Sequence, residues 1–270
     1  MHRSITLILL LLAAVPHHAR SQTQFSGWLG SFQNYKITGK TGLYFDAQIR
    51  STGQWQQVHA LLLRPGLNLY LTPSLTTTVG YAYIPQQRIS GNVTALLPEH
   101  RAWQQLLFTH PARIGHNHPH RTTPSGHPKH PVLTASFSHR LRLEQRYLPL
   151  HHPEGNTLVQ HGHRYAGRLR YFTRGLIPLN SQASPGQQTS TPPFTKGFFA
   201  AIQNEIFFNI GDPSPVNGKV FDQNRAYVAA GYRLNRQFDM ELGYMNQYIN
   251  GTGSNSTNNH ILQMATYLRL

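Results

Sequence analysis

The 270-residue chain has no cysteine, which excludes disulfides and thiolate chemistry, and its net charge of +15 comes from 24 Lys and Arg against 9 Asp and Glu. Charged residues make up only 12% of the chain and apolar ones 39%, with Gly, Pro, Tyr, Phe, Asn, Gln and Thr abundant, a composition that suits strands and turns and points to an all-β fold. Such a charge would suggest nucleic acid in a cytosolic protein, but here the arginines alternate along candidate strands and the chain opens on an export signal, so nucleic acid is not the expected partner.

Residues 1–21 have the layout of a signal peptide: Arg3, a short apolar core from Ile5 to Val15, and Ala19-Arg20-Ser21 before the cut. One domain is expected over 22–270. The apolar core is too short to span a membrane, and no later apolar run approaches the roughly 20 residues a transmembrane helix needs. If the mature chain enters a membrane, it has to do so as a barrel.

The first predicted strand, Phe25 to Ile37, carries Trp28, Phe32 and Tyr35, and Thr38 to Gly42 is a turn. Leu43 to Ser51 sorts Leu43, Phe45, Ala47 and Ile49 from Tyr44, Asp46, Gln48 and Arg50. Gln57 to Leu71 contains Arg64-Pro65-Gly66, where the proline removes a ladder donor and a bulge or bend is expected. Leu75 to Gln86 sets Leu75, Val79, Tyr81 and Tyr83 against Thr76, Thr78, Gly80 and Ala82; Pro98 to Thr109 puts Glu99, Arg101, Trp103 and Gln105 on one parity. His110 to Pro131, with His116, His118, His120, His127 and His130 among prolines and glycines, is expected to be a solvated loop. No carboxylate or thiolate accompanies these histidines, so neither a metal site nor a cofactor is expected.

The sorting is sharpest from Ser136 to Arg146: Ser136, Ser138, Arg140, Arg142, Glu144 and Arg146 share one parity, and Phe137, His139, Leu141, Leu143 and Gln145 take the other. On a helix the same charges would point all round. His151 to His161 is expected to be a loop, after which His163 to Gly175 places Arg164, Arg168, Arg170 and Arg174 opposite Tyr165, Leu169 and Tyr171. A second long loop, Pro178 to Thr195, precedes the strand Lys196 to Ile210, where Gln203, Glu205 and Phe207 oppose Ile202, Ile206 and Phe208. Asn224 to Asn235 carries Arg225 and Arg233, and Phe238 to Ile249 carries Asp239, Glu241 and Gln247, each against an apolar parity. Asn250 to Asn258 is a polar loop, and the last strand sets Leu262, Met264, Leu268 and Leu270 against Gln263, Tyr267 and Arg269.

Arginines 50, 101, 140, 142, 146, 164, 168, 170, 174, 225, 233 and 269 therefore fall on the polar parity with Asp46, Glu99, Glu144, Glu205, Asp239 and Glu241. The opposite parity is apolar and nearly free of charge. A polar interior and an apolar exterior is the inside-out arrangement of an antiparallel transmembrane β-barrel. Its expected interior network is Arg140, Arg142, Glu144, Arg146, Arg168, Arg170, Glu205, Arg225, Asp239 and Glu241. The candidate strands number eleven, and because single-chain bacterial barrels are even, twelve strands are expected, or ten if the first segment does not span.

The runs E-H-R-A-W-Q-Q at 99–105, H-R-L-R-L-E-Q-R at 139–146, R-L-R-Y at 168–171, N-E-I-F-F at 204–208, F-D-Q-N-R at 221–225 and L-G-Y-M-N-Q at 242–247 resemble, in order and spacing, the bacterial outer-membrane-type barrel family labelled domain of unknown function 2490. The insertion at 110–131 and the terminal Leu270 depart from its pattern. The resemblance implies a barrel in the bacterial outer membrane and carries no activity with it. Partners expected for such a barrel are outer-membrane lipid, lipopolysaccharide and the barrel assembly machinery. Its role is then that of a narrow anion-preferring channel or a structural barrel. A lipid-modifying hydrolase and a soluble periplasmic β-protein are the alternatives, but the one adjacent Ser/His pair, Ser138 and His139, points to opposite faces of its strand.

Overall fold

The computed structural model describes residues 21–114, 133–179 and 194–270. These form eleven strands: β1 (Ser21–Lys36), β2 (Thr41–Thr52), β3 (Gln57–Tyr70), β4 (Leu75–Ser90), β5 (Val93–Ile114), β6 (Leu133–Glu154), β7 (Thr157–Pro178), β8 (Gly197–Ile210), β9 (Phe221–Arg233), β10 (Phe238–Asn250) and β11 (Ser256–Arg269). Each strand pairs with its neighbours in sequence, and β1 closes on β11, so the sheet is a barrel without free edges. Sequential antiparallel pairing follows from the short connections, several of which turn on a glycine with positive φ, such as Gly91 (59°) and Gly155 (57°).

The strand count corrects the expected twelve or ten. Antiparallel neighbours alternate in direction, so an odd number leaves the first and last strands pointing the same way. The barrel closes through a parallel seam that runs from Ser21 opposite Ser256 to Asn34 opposite Arg269, whereas every other neighbouring pair is antiparallel. The seam makes an odd count compatible with closure, and no hidden strand is needed.

Three further expectations change. The β3–β4 ladder skips Arg64 and Pro65 but keeps its register, with Leu63 opposite Tyr83 and Gly66 opposite Gly80, so no bulge forms there. Bulges fall instead at Arg50/Ser51, Leu150/His151 and Phe207/Phe208. His110 to Ile114 belongs to β5, while 115–131 of the expected His-rich loop and residues 1–20 of the expected signal lie outside the described residues. The supposed loop His151 to His161 is a hairpin, in which Glu154 pairs with Thr157 across Gly155 and Asn156. The alternating apolar signal fades there, because these residues extend beyond the neighbouring strands: β7 meets β8 only from Gly167 onward.

Each strand buries one parity inside the barrel and exposes the other. The exposed parity carries an apolar residue on every side: Leu29, Ile49, Leu67, Val79, Leu106, Leu141, Tyr171, Ile202, Val228, Leu242 and Leu262, from β1 to β11 in turn. Aromatic and imidazole rings flank this belt at two heights. Tyr81, Tyr83, His100 and His163 cluster on the side of the β4–β5 turn, with Tyr81 Oη bonded to His100 Nδ1. Toward the opposite end, His110 stacks on Phe137 and His139, with ring centroids 5.9 and 5.5 Å apart.

Candidate functional site

The inward parity brings together side chains that lie far apart in the chain, and carboxylates form the nodes. Glu144 on β6 accepts from Arg168 Nη2 at 2.6 Å and Arg170 Nη1 at 2.5 Å, both on β7, and from Arg101 Nη1 on β5 at 3.3 Å. Its strand neighbour Arg142 stands 4.0 Å away. Glu205 on β8 takes Arg140 and Arg170, each at 2.7 Å, and Arg225 at 3.7 Å. Glu99 on β5 takes Arg101 and Arg146 at 2.7 Å and Arg88 at 3.6 Å. Because Arg170 joins Glu144 to Glu205, and Arg101 joins Glu144 to Glu99, the three nodes form one network across β4 to β9. Glu99 and Glu144 are almost fully buried, which such ions tolerate only when paired.

Eight of the ten expected interior residues, Arg140, Arg142, Glu144, Arg146, Arg168, Arg170, Glu205 and Arg225, meet in this network. Asp239 and Glu241 stand apart from it. Asp239 holds Arg233 at 2.7 Å and Arg269 at 2.8 Å, while Glu241 pairs with Arg174 at 2.5 Å and accepts from Tyr227 and Tyr267 at 2.9 and 3.0 Å. One arginine of the polar parity is misplaced: Arg164 is exposed, because it lies on the projecting part of β7 where no β8 residue stands beside it.

Sequence reasoning missed Arg64, which pairs with Asp46 at 2.7 Å; Arg88; and Asp222, which Arg168 reaches at 3.4 Å. Arg88 follows from the period of β4, extended two residues past its expected end. Arg64 gives no such signal, since both parities of β3 are apolar around it. The inward aromatics were also invisible as partners. The Arg50 guanidinium lies 3.8 Å from the Trp28 ring centre, with Arg225 at 5.1 Å from the same ring. Arg142 covers Trp103 at 4.4 Å, and Phe207 meets Arg168, Arg170 and Arg225 at 5.2, 4.6 and 4.6 Å. Stacking of this kind holds a guanidinium in place without a carboxylate.

The interior is not filled uniformly. A cavity of about 420 Å³ opens toward the end that carries the β2–β3 and β8–β9 turns, and a smaller one of about 120 Å³ lies deeper. Trp28, Arg50, Arg64, Arg170 and Arg225 line both, so together they form a layer across the barrel between the two spaces. Ser138 and His139 do not converge. Ser138 Oγ meets Thr109 Oγ1 at 3.1 Å, and His139 Nδ1 meets Tyr171 Oη at 3.0 Å on the exposed parity. Among the described residues no group of three His, Asp or Glu side chains is placed to hold a metal ion.

Residues 25–258 match the family model described as a protein of unknown function, DUF2490, and the chain belongs to that family. It is similar over nearly its whole length to an uncharacterized protein of Methylorubrum extorquens strain AM1, with 25% identity over 272 residues, 99% of this chain and 98% of the relative. No solved structure matches.

Proposed function

We propose that this chain is an integral barrel of the bacterial outer membrane, with an interior packed by an arginine–carboxylate network in place of an open pore. The observation that carries the reading is the division of the wall: an uncharged apolar or aromatic residue faces outward on every strand, while the carboxylates of Glu99, Glu144 and Glu205 face inward. Soluble monomers rarely expose a continuous apolar belt, which would drive association in water and is at home in hydrocarbon. The ring clusters fit the interfacial girdles of such barrels. On β5, His100 and Phe108 are eight residues apart, roughly 26 Å along a strand and about 20 Å along the axis at the usual tilt.

Outward polar groups within the wall are uncharged and pair with one another, as a lipid-facing surface requires. Gln104 and Gln145 exchange bonds of 3.1 and 3.3 Å, and Asn204 and Asn224 do the same at 3.1 and 3.3 Å. The layer of Trp28, Arg50, Arg64, Arg170 and Arg225 favours a closed barrel. The surplus of arginine favours the other reading, a narrow anion-preferring channel.

Fractionation of expressing cells tests the location: the protein is expected in the outer membrane, resistant to salt and carbonate extraction, and recovery in the soluble periplasm would overturn it. Planar-bilayer recording on the refolded protein separates the two interiors. A packed barrel gives no steady current, and an anion-selective current would establish the channel instead.

A further inference from the structure

The network holds more positive charge than it neutralises. Among the described residues Arg64, Arg88, Arg101, Arg140, Arg142, Arg146, Arg168, Arg170 and Arg225 share only the carboxylates of Asp46, Glu99, Glu144, Glu205 and Asp222. Arg50 adds a further charge, and among the described residues its partner is the neutral Gln48 carbonyl, at 2.7 Å from Nη2 and 3.2 Å from Nε. Arg225 has the weakest share of its node, 3.7 Å from a Glu205 carboxylate that Arg140 and Arg170 hold at 2.7 Å. Both guanidiniums border the 420 Å³ cavity, fixed there by the Trp28 ring. Among the described residues the only carboxylate lining that cavity is Asp222, already engaged by Arg168, and its rim offers neutral amides from Gln24, Gln86, Gln87 and Asn259.

We propose that this cavity is a binding site for a small multivalent oxyanion, carboxylate or phosphate, whose charge is met by Arg50 and Arg225. Its volume lies within the roughly 300–1,000 Å³ of small-molecule sites, and guanidinium forks match the geometry of both oxyanions. The layer beneath the cavity stops the ligand there, so the site retains a solute that enters from the open end. The proposal needs the barrel interior but not its location, so its failure and that of the membrane assignment are told apart.

The test is isothermal titration of the refolded full-length protein in detergent with citrate and, separately, inorganic pyrophosphate. Saturable binding that weakens with added NaCl is expected, and Arg50→Gln with Arg225→Gln together should lower affinity about tenfold or more. Arg164→Gln, exposed outside the cavity, should bind as the parent does. If the double variant does not refold, Gln24→Glu supplies the same decision, since a carboxylate at the rim should weaken binding several-fold. No saturable binding of either anion by the parent would overturn the proposal, as would unchanged affinity in the double variant or in Gln24→Glu. Binding of dihexanoyl phosphatidic acid but of neither free anion would assign the site to a lipid headgroup and overturn the small-solute assignment.

Discussion

The β6–β7 wall and the β3–β4 wall close the same barrel by different chemistry. Inside β6 and β7 the packing is ionic, with Arg140, Arg142, Arg146, Arg168 and Arg170 clasped by Glu144, Glu205 and Glu99. Inside β3 and β4 much of it is apolar: Ala60, Leu62, Ala82 and Ile84 gather with Trp103 in a buried cluster. Trp103 fits because the wall beneath it has no side chains. A Cβ added to Gly80 would lie 2.2 Å from the indole Cζ2, and one on Gly66 would lie 2.9 Å from Cη2. Arg142 then covers the same indole, joining the two regions. The contrast teaches that a barrel interior of this width can be filled either by long charged side chains that satisfy one another or by a large ring seated on glycine.

The largest effect is expected at the ionic centre. Glu144→Ala leaves Arg101, Arg168 and Arg170 without a shared carboxylate and should cost about 3–5 kcal/mol of stability, measured by urea unfolding of the refolded barrel. A loss below about 1 kcal/mol, the range of exposed pairs, would mean that water screens the network. Next comes the outer wall: Leu141→Arg should cost about 2–4 kcal/mol for folding into bilayers if this strand crosses the hydrocarbon. Equal folding of that variant and the parent would remove the belt from the membrane.

The apolar region is expected to respond through shape. Gly80→Ala forces a methyl into the Trp103 ring and should cost about 1–3 kcal/mol, but clearly less in a Trp103→Ala background, and additive losses in the double-mutant cycle would deny the contact. The smallest effect is at Arg164→Gln, where exposure predicts a change within about 0.5 kcal/mol. A larger loss would bring this arginine back into the interior.

The same contrast explains what the sequence disclosed. Where the two parities differ in chemistry, as in β6, β8 and β10, period two marks the inward face, and the interior carboxylates Glu144, Glu205, Asp239 and Glu241 are legible in the sequence; on β7 the same rule fails at Arg164, beyond the reach of β8. In β3, Leu61 and Leu63 face out while Ala60 and Leu62 face in, so hydrophobicity could not sort them and Arg64 was left beside its proline. Partner choice was hidden for another reason. The pairing of Glu99 with Arg146 is set by strand register, and that of Arg168 with Asp222 by a contact between residues 54 positions apart. The strand number was legible as eleven segments, but the rule of even counts obscured it because a parallel seam leaves no mark in either strand alone.

The proposed division of the wall into a lipid-facing exterior and a charged interior can be tested directly, because the chain has no cysteine and any introduced thiol is unique. Leu262→Cys on the outward parity and Gln86→Cys in the cavity lining, each labelled with bimane in phosphatidylcholine vesicles, are compared with and without doxyl-labelled lipid. Strong quenching at position 262 and little at 86 is the predicted result; a label at 262 as free of lipid quenching as the one at 86 would contradict the account.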